Sequence, residues 1–343
     1  MPNPALKIII EDKVPFVKGL LDPYATVEYL APENITPKAV RDAAALIIRT
    51  RTRCNADLLE GSKVKLIATA TIGTDHIDAE YCSRRGITVV NAPGCNAPAV
   101  AQYVFASLLH TINRPLSAHT IGVVGVGHVG KIVAKWAESM DMKVLRCDPP
   151  RQIREGGEDW VDFDTILQKA DIITLHTPLT ELGSNATFHM VNADAIAKMR
   201  RNPIIINSAR GAVVDTQAIL AAAKAGICGP LIIDCWENEP DINRQLCSLA
   251  AIATPHIAGY SHEGKVRASQ VVLDAVTTFF QLPRVTVNQP IPPRTPESVT
   301  RTSILNSFNP VPVSNALKEA PQNFENLRNA YILRNEPLPA SED

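Results

Sequence analysis

The sequence predicts an α/β protein of two doubly wound parallel-sheet domains followed by a shorter C-terminal region. Short apolar runs alternate with helical patterns along most of the chain. A glycine-rich turn stands between an apolar strand and an amphipathic helix. After Pro283 the composition turns proline-rich. The first feature is the signature of helices laid on both faces of parallel sheets.

The chain has 343 residues, enough for about two domains. Its formal net charge of −1 gives no global field for nucleic acid, nor for a membrane surface. No apolar run approaches the roughly 20 residues that span a bilayer. The start, Met1-Pro2-Asn3-Pro4-Ala5-Leu6-Lys7, lacks a basic segment leading into an apolar core, so no signal peptide is expected. The seven cysteines are scattered and form no C-x-x-C pair. A reduced, cytoplasmic protein without a metal site is the simplest expectation.

Leu6–Ile10 reads as a first strand, Val27–Leu30 as a weaker second, and Ala45–Ile48 as a third. Leu66–Thr69 and Thr88–Val90 complete a small parallel sheet. Two of its strand ends carry polar groups suited to a ligand: Arg49-Thr50-Arg51-Thr52-Arg53 and Thr69-Ala70-Thr71-Ile72-Gly73-Thr74-Asp75-His76. Ligands of open α/β sheets sit beyond the carboxyl ends of strands. A solvated loop would carry the same arginines. Asn96 then reads as the cap of a helix with Pro98 in its first turn. Its apolar residues run from Val100 to Ile112.

The strand Thr120–Val124 leads into Gly125-Val126-Gly127-His128-Val129-Gly130. A helix follows whose apolar residues, Val129, Ile132, Val133, Trp136, Ala137 and Met140, share one face. A second strand, Val144–Cys147, ends on Asp148. This is the G-x-G-x-x-G dinucleotide fingerprint in its strand–turn–helix–strand setting. Gly125 permits the tight turn, Gly127 lets a pyrophosphate approach, and Gly130 lets the helix pack on the sheet. His128 and Val129 open the helix, where free N–H groups meet phosphate. Asp148 stands roughly 20 residues on, where an acid accepts from a ribose 2′-hydroxyl. A carboxylate there repels a 2′-phosphate, so NAD is expected rather than NADP. Arg146 and Arg151 nearby argue the other way.

The pattern continues with Ala170–His176, Ile204–Ser208, Leu231–Asp234 and Ile252–Ala253. Polar residues follow each run and so share one sheet edge. Arg210, Asp234, Glu239 and His256 are expected to converge there. The set suits hydride transfer at an alcohol carbon. Histidine titrates near neutrality and can move the hydroxyl proton. A glutamate partner favours imidazolium and fixes its tautomer. Arginine binds a carboxylate through two parallel hydrogen bonds. Asp234, at a strand end, is read as facing the nicotinamide. The tail keeps apolar anchors at Phe324, Leu327 and Tyr331 but lacks a core of its own. It is expected to pack on another surface, a second subunit among the options.

At this point the sequence resembles the D-2-hydroxyacid dehydrogenases. The match is carried by the glycine turn, Ser208-Ala209-Arg210-Gly211-Ala212-Val213-Val214-Asp215, Glu239-Pro240 and Thr254-Pro255-His256. Gly73-Thr74-Asp75-His76, Asn91 to Ala97, Cys147-Asp148-Pro149-Pro150 and Pro255 to Lys265 are similar to the branch that oxidises 4-phospho-D-erythronate. The likeness implies a Rossmann domain, 97–257, that binds NAD and is inserted in a flavodoxin-like substrate domain, 1–96 and 258–285. It implies that 286–343 is a C-terminal dimerisation region of a homodimer. It also implies a catalytic trio of Arg210, Glu239 and His256, with Thr177 and Gly259 on the cofactor. Thr50, Thr71 and Tyr260 would touch a phosphorylated 2-hydroxy acid, and Arg49 its phosphate. Thr50 stands where serine is expected, and the tail looks shorter than the family's. Two alternatives remain: another substrate, such as 3-phosphoglycerate, glyoxylate or hydroxypyruvate, and an NAD-sensing corepressor that binds partners.

Overall fold

The computed structural model describes residues 3–157, 159–290, 292–293 and 295–338. The chain forms two compact units. One comprises the residues up to Asn96 together with His262–Pro293; the other comprises Ala97–Ser261 and the stretch after Pro293.

The first unit holds five parallel strands, β1 (Asn3–Glu11), β2 (Ala25–Leu30), β3 (Ala45–Ile48), β4 (Leu66–Thr69) and β5 (Thr88–Val90), in the order β2-β1-β3-β4-β5. Successive side chains of a strand point to opposite faces. Ile8, Ile10, Ile47 and Ala68 accordingly pack with Val272, Leu273 and Val276 of the helix His262–Phe279. Ile9, Leu46, Ile48 and Ile67 face Leu59 and Cys82, from the helices Ala56–Leu59 and Ala79–Arg84 on the other side. Strands buried on both faces read as unbroken apolar runs, and β3 and β4 are buried throughout.

The second unit holds six parallel strands, β6 (Thr120–Val124), β7 (Lys143–Cys147), β8 (Ile172–Leu175), β9 (Ile204–Asn207), β10 (Leu231–Ile233) and β11 (Ile252–Ala253), in the order β11-β10-β9-β8-β6-β7. Strand order reverses at β6, which marks the crevice where such sheets bind ligands. Ile121, Val123, Ile206 and Ile232 pack with the helices Ala97–Thr111 and His128–Ser139. The first of these helices is buried from Ala97 to Leu109. Asn96 does not cap it as expected: its buried Oδ1 makes no hydrogen bond among the described residues. The two doubly wound α/β sheets read from the sequence are thus present.

Among the described residues the proline-rich tail forms short helices at Arg301–Ser307, Val311–Glu319 and Phe324–Asn329. Pro312 falls in a first turn, where its missing N–H costs nothing. Phe324 is 0% exposed and packs with Leu317 and Leu327 into the second unit's own core, while Tyr331 joins its other apolar cluster. The anchors therefore serve this chain. The segment also covers the edge strand β11: Ser314 Oγ accepts from Ala253 N at 2.9 Å and Lys318 Nζ donates to Ala251 O at 3.2 Å. Trp136 Nε1 donates to Pro296 O at 2.9 Å. No described helix is long and apolar enough to cross a membrane, and all seven cysteines are free.

Candidate active site

The glycine turn has the shape its residue types require. Gly125 has φ +85°, and a Cβ on it would lie 2.7 Å from the His176 carbonyl carbon. A Cβ on Gly130 would meet Gly125 O at 2.0 Å, so only glycine lets the helix come this close. Gly127 is exposed, with nothing within 4 Å of where a Cβ would stand, and the exposed His128 and half-buried Val129 follow it. Asp148 accepts from Val126 N at 2.8 Å and from Arg151 N at 3.0 Å, which fixes its carboxylate beside the turn. Arg146 pairs with Glu138, and Arg151 with Glu155 at 2.7 Å. Both arginines are thus engaged locally.

Buried polar atoms without a hydrogen-bond partner among the described residues gather just beyond β8 and β9. They are His176 Nδ1, Thr177 Oγ1 and Ser208 Oγ. Such atoms are costly unless something satisfies them, and a dinucleotide along this edge offers donors and acceptors. Burial pushes the His176 imidazole down to about 3, so it stays neutral, with Nε2 2.9 Å from Thr174 Oγ1. Together with the open Gly127 and the exposed helix start, these atoms fit NAD.

The trio comes from three neighbouring strand ends. Arg210 follows β9, Glu239 lies in the loop after β10, and His256 follows β11. Buried Asn207 ties the first two loops, donating through Nδ2 to Arg210 O at 3.0 Å and to Cys235 O at 3.3 Å. Gly211 sits so close to Trp236 that a Cβ would reach its carbonyl at 2.0 Å. Trp236 ties the second and third: its backbone N–H donates to Glu239 Oε1 and its indole to Thr254 O, both at 2.9 Å. Asn207 and Trp236 were not read from the sequence as site residues, because nothing local distinguishes them from core.

His256 is held in the left-handed region at φ +56°, unusual for a non-glycine residue. Asp234 accounts for how that conformation persists. It is 1% exposed and accepts from Thr254 Oγ1 (2.7 Å), Ile257 N (2.8 Å) and Ala258 N (2.9 Å), pinning the loop on both sides of the histidine. Expected to face the nicotinamide, it has this loop-holding task in the structure.

His256 Nδ1 lies 2.8 Å from Glu239 Oε2 and 3.1 Å from Oε1. Burial opposes the imidazolium, but the Cys235 thiol and the Glu239 carboxylate outweigh it and hold the His256 pKa well above its ordinary value. Burial likewise acts to raise Glu239, while hydrogen bonding and charge from His256, the Trp236 amide and Arg328 bring it below the usual range. Cys235, Glu239 and His256 offer ligand atoms within 4.8 Å of one another, a juxtaposition that cysteine spacing could not reveal. Gly259 lies in the turn after His256, and Tyr260 follows it with its hydroxyl 3.1 Å from Arg328 Nε.

In the first unit, Arg49 and Thr50 follow β3 as expected, with Thr50 exposed. Arg49 donates from its backbone to Glu11 Oε2 at 2.9 Å and from Nη1 to Lys13 O at 3.1 Å, while its buried Nε has no hydrogen-bond partner among the described residues. Thr52 Oγ1 donates to the same Glu11 oxygen, so buried Glu11 anchors the loop. Thr71 Oγ1 is 2.6 Å from Thr69 Oγ1 and donates to Gly73 O at 3.0 Å.

A family model described as D-isomer specific 2-hydroxyacid dehydrogenase, NAD binding domain, matches residues 100–258. A Bacteroides thetaiotaomicron protein named erythronate-4-phosphate dehydrogenase is 46% identical over 96% of this chain and 97% of its own length. A Porphyromonas gingivalis protein of the same name is 41% identical over 95% and 92%. Among solved structures, D-lactate dehydrogenase from Aquifex aeolicus, complexed with NAD and lactic acid, superposes with a TM-score of 0.70 at 28% identity, covering 80% of this chain and 95% of that one. The chain belongs to the erythronate-4-phosphate dehydrogenase family, within the NAD-dependent D-isomer specific 2-hydroxyacid dehydrogenases.

Proposed function

We propose that the chain oxidises 4-phospho-D-erythronate to (R)-3-hydroxy-2-oxo-4-phosphooxybutanoate with NAD, a step in forming pyridoxal 5′-phosphate. The observation that carries this reading is the His256–Glu239 pair beside the loop of Arg210, at the edge of a dinucleotide-binding sheet. The substrate name comes from the relatives, which match over nearly the whole chain.

NAD, when bound, supplies the hydride acceptor. The glycine turn, His128, Val129, Asp148, Thr177 and Gly259 would hold it, and Asp234 would act there by fixing the His256 loop. Arg210 grips the substrate carboxylate and draws electron density from the forming 2-oxo group. Glu239 takes the Nδ1–H of His256, which leaves Nε2 to receive the hydroxyl proton. Thr50, Thr71 and Tyr260 orient the sugar acid, and Arg49 meets its phosphate. The reading further includes a homodimer, supported by large apolar residues left exposed in the tail, Ile332 at 88% and Leu338 at 68%. A cytoplasmic setting is supported by the free cysteines.

Replacing His256 with asparagine should cut turnover by about 10²–10⁴ and leave NAD binding nearly intact. Near-normal turnover in that variant removes His256 from the chemistry.

A further inference from the structure

We propose that the C-terminal segment completes the catalytic apparatus of its own subunit, with Arg328 as a positioning residue for Glu239 and Tyr260. The inference rests on the proposed proton transfer at His256. Arg328 lies on the helix Phe324–Asn329, which buried Phe324 and Leu327 fasten to the second unit's core. Its Nε donates to the Tyr260 hydroxyl at 3.1 Å, and its guanidinium carbon is 5.9 Å from the centre of that ring. Its Nη1 stands 3.9 Å from Glu239 Oε2, the oxygen that faces His256 Nδ1 at 2.8 Å. One cation thus touches the substrate-side tyrosine and the histidine's carboxylate partner.

A second arginine of the segment secures the loop these groups stand on. Arg334 is buried and donates to the carbonyls of Ile257 (3.1 Å), Tyr260 (3.0 Å) and Ala258. It also donates to Ala99 O at 3.0 Å, Gln102 Oε1 at 2.8 Å and the Tyr331 hydroxyl at 3.1 Å. Ser261 Oγ donates to Glu336 Oε1 at 2.8 Å. The loop from His256 to Ser261 is therefore held by Asp234 on one side and by the tail on the other.

The electrostatic consequence has a definite sign. The charged groups facing the pair are Asp234 from the β10 end, Arg328 from the tail, and Glu325, 3.7 Å from Arg328, while the Cys235 thiol, pushed up by burial, is neutral. Tyr260 adds a neutral hydroxyl. Arg328 favours the carboxylate of Glu239 and disfavours a second cation beside it. Removing Arg328 lets His256 keep its proton to higher pH, and oxidation needs the neutral imidazole.

The test is the pH profile of kcat/KM for oxidation by the full-length chain. Arg328→Gln should move the acid limb upward by on the order of one unit. That shift costs roughly ten-fold in rate at pH values below the limb. Arg328→Lys, which keeps the charge, should return the limb towards its original position. Lys318→Met loosens the tail at Ala251, away from the site, and should leave the limb in place. An unmoved limb in Arg328→Gln, or an equal shift in Lys318→Met, overturns the proposal. If Arg328→Gln does not fold, Glu325→Gln frees the cation's field and should shift the limb the other way; no shift there overturns it too. The profile is taken with whichever 2-hydroxy acid the unmodified chain oxidises. Failure on 4-phospho-D-erythronate then counts against the proposed substrate and leaves the Arg328 result readable.

Discussion

Replacing Glu239 with glutamine removes a charge and, at the Oε2 position 2.8 Å from His256 Nδ1, one acceptor. The amide oxygen can still accept from His256 Nδ1 and from the Trp236 N–H that now meet Oε1 at 3.1 and 2.9 Å. Two unit charges about 4 Å apart interact by ~4 kcal/mol at an effective dielectric near 20. That corresponds to as much as ~3 pKa units, at 1.36 kcal/mol each. The histidine and glutamate side chains are 30% and 19% exposed, so solvent screens part of it and a fall of about 1–2 units is expected for His256. The unmodified histidine is held well above its ordinary value, so oxidation, which needs neutral imidazole, should run best in alkaline solution. In Glu239→Gln the acid limb for oxidation should move down by those units. Reduction of the 2-oxo acid needs imidazolium and should lose about ten- to a hundred-fold at pH values above the original limb. Initial rates in both directions across pH measure both effects. An oxidation limb that stays where it was refutes the role given to the pair.

NAD should bind at least about ten-fold more tightly than NADP, since Asp148 is fixed beside the glycine turn and repels a 2′-phosphate; equal affinities by calorimetry contradict this. Arg49→Ala should weaken 4-phospho-D-erythronate by roughly ten- to a hundred-fold, as a charged contact worth ~1.5–3 kcal/mol is lost. NAD binding and reduction of a small unphosphorylated 2-oxo acid should hardly change; equal damage to both substrates means Arg49 only supports its loop through Lys13. Ile332→Glu with Leu338→Glu should turn a dimer into a monomer by light scattering with little loss of melting temperature, because both side chains are exposed within the subunit; a persistent dimer places its contact elsewhere.

The two sheets were legible because parallel strands buried on both faces must be apolar throughout. Ala45-Leu46-Ile47-Ile48 and Ile204-Ile205-Ile206 show this in bare sequence. The glycine turn was legible because Gly125 and Gly130 meet backbone at distances no side chain permits. Arg210, Glu239 and His256 were found as the polar residues just past apolar runs. The supports of that site were not legible. Asn207, Trp236 and Arg334 act through bonds to main-chain groups far along the sequence, and no local period records such partners. The surface on which the tail packs was not legible for the same reason: the partners of Phe324, Leu327 and Tyr331 lie in an earlier part of the chain. Asn96 had the residue type of a cap without the hydrogen bond.

The most direct measurement is NADH formation by the purified chain supplied with NAD and, in parallel, 4-phospho-D-erythronate, 3-phosphoglycerate, glycolate and D-lactate. The expected result is a kcat/KM for 4-phospho-D-erythronate at least about a hundred-fold above glycolate and D-lactate, from the added phosphate contact, and above 3-phosphoglycerate, whose phosphate lies one carbon nearer the carboxylate. A higher value for any of the other acids, or no NADH with any of them, contradicts the proposed function.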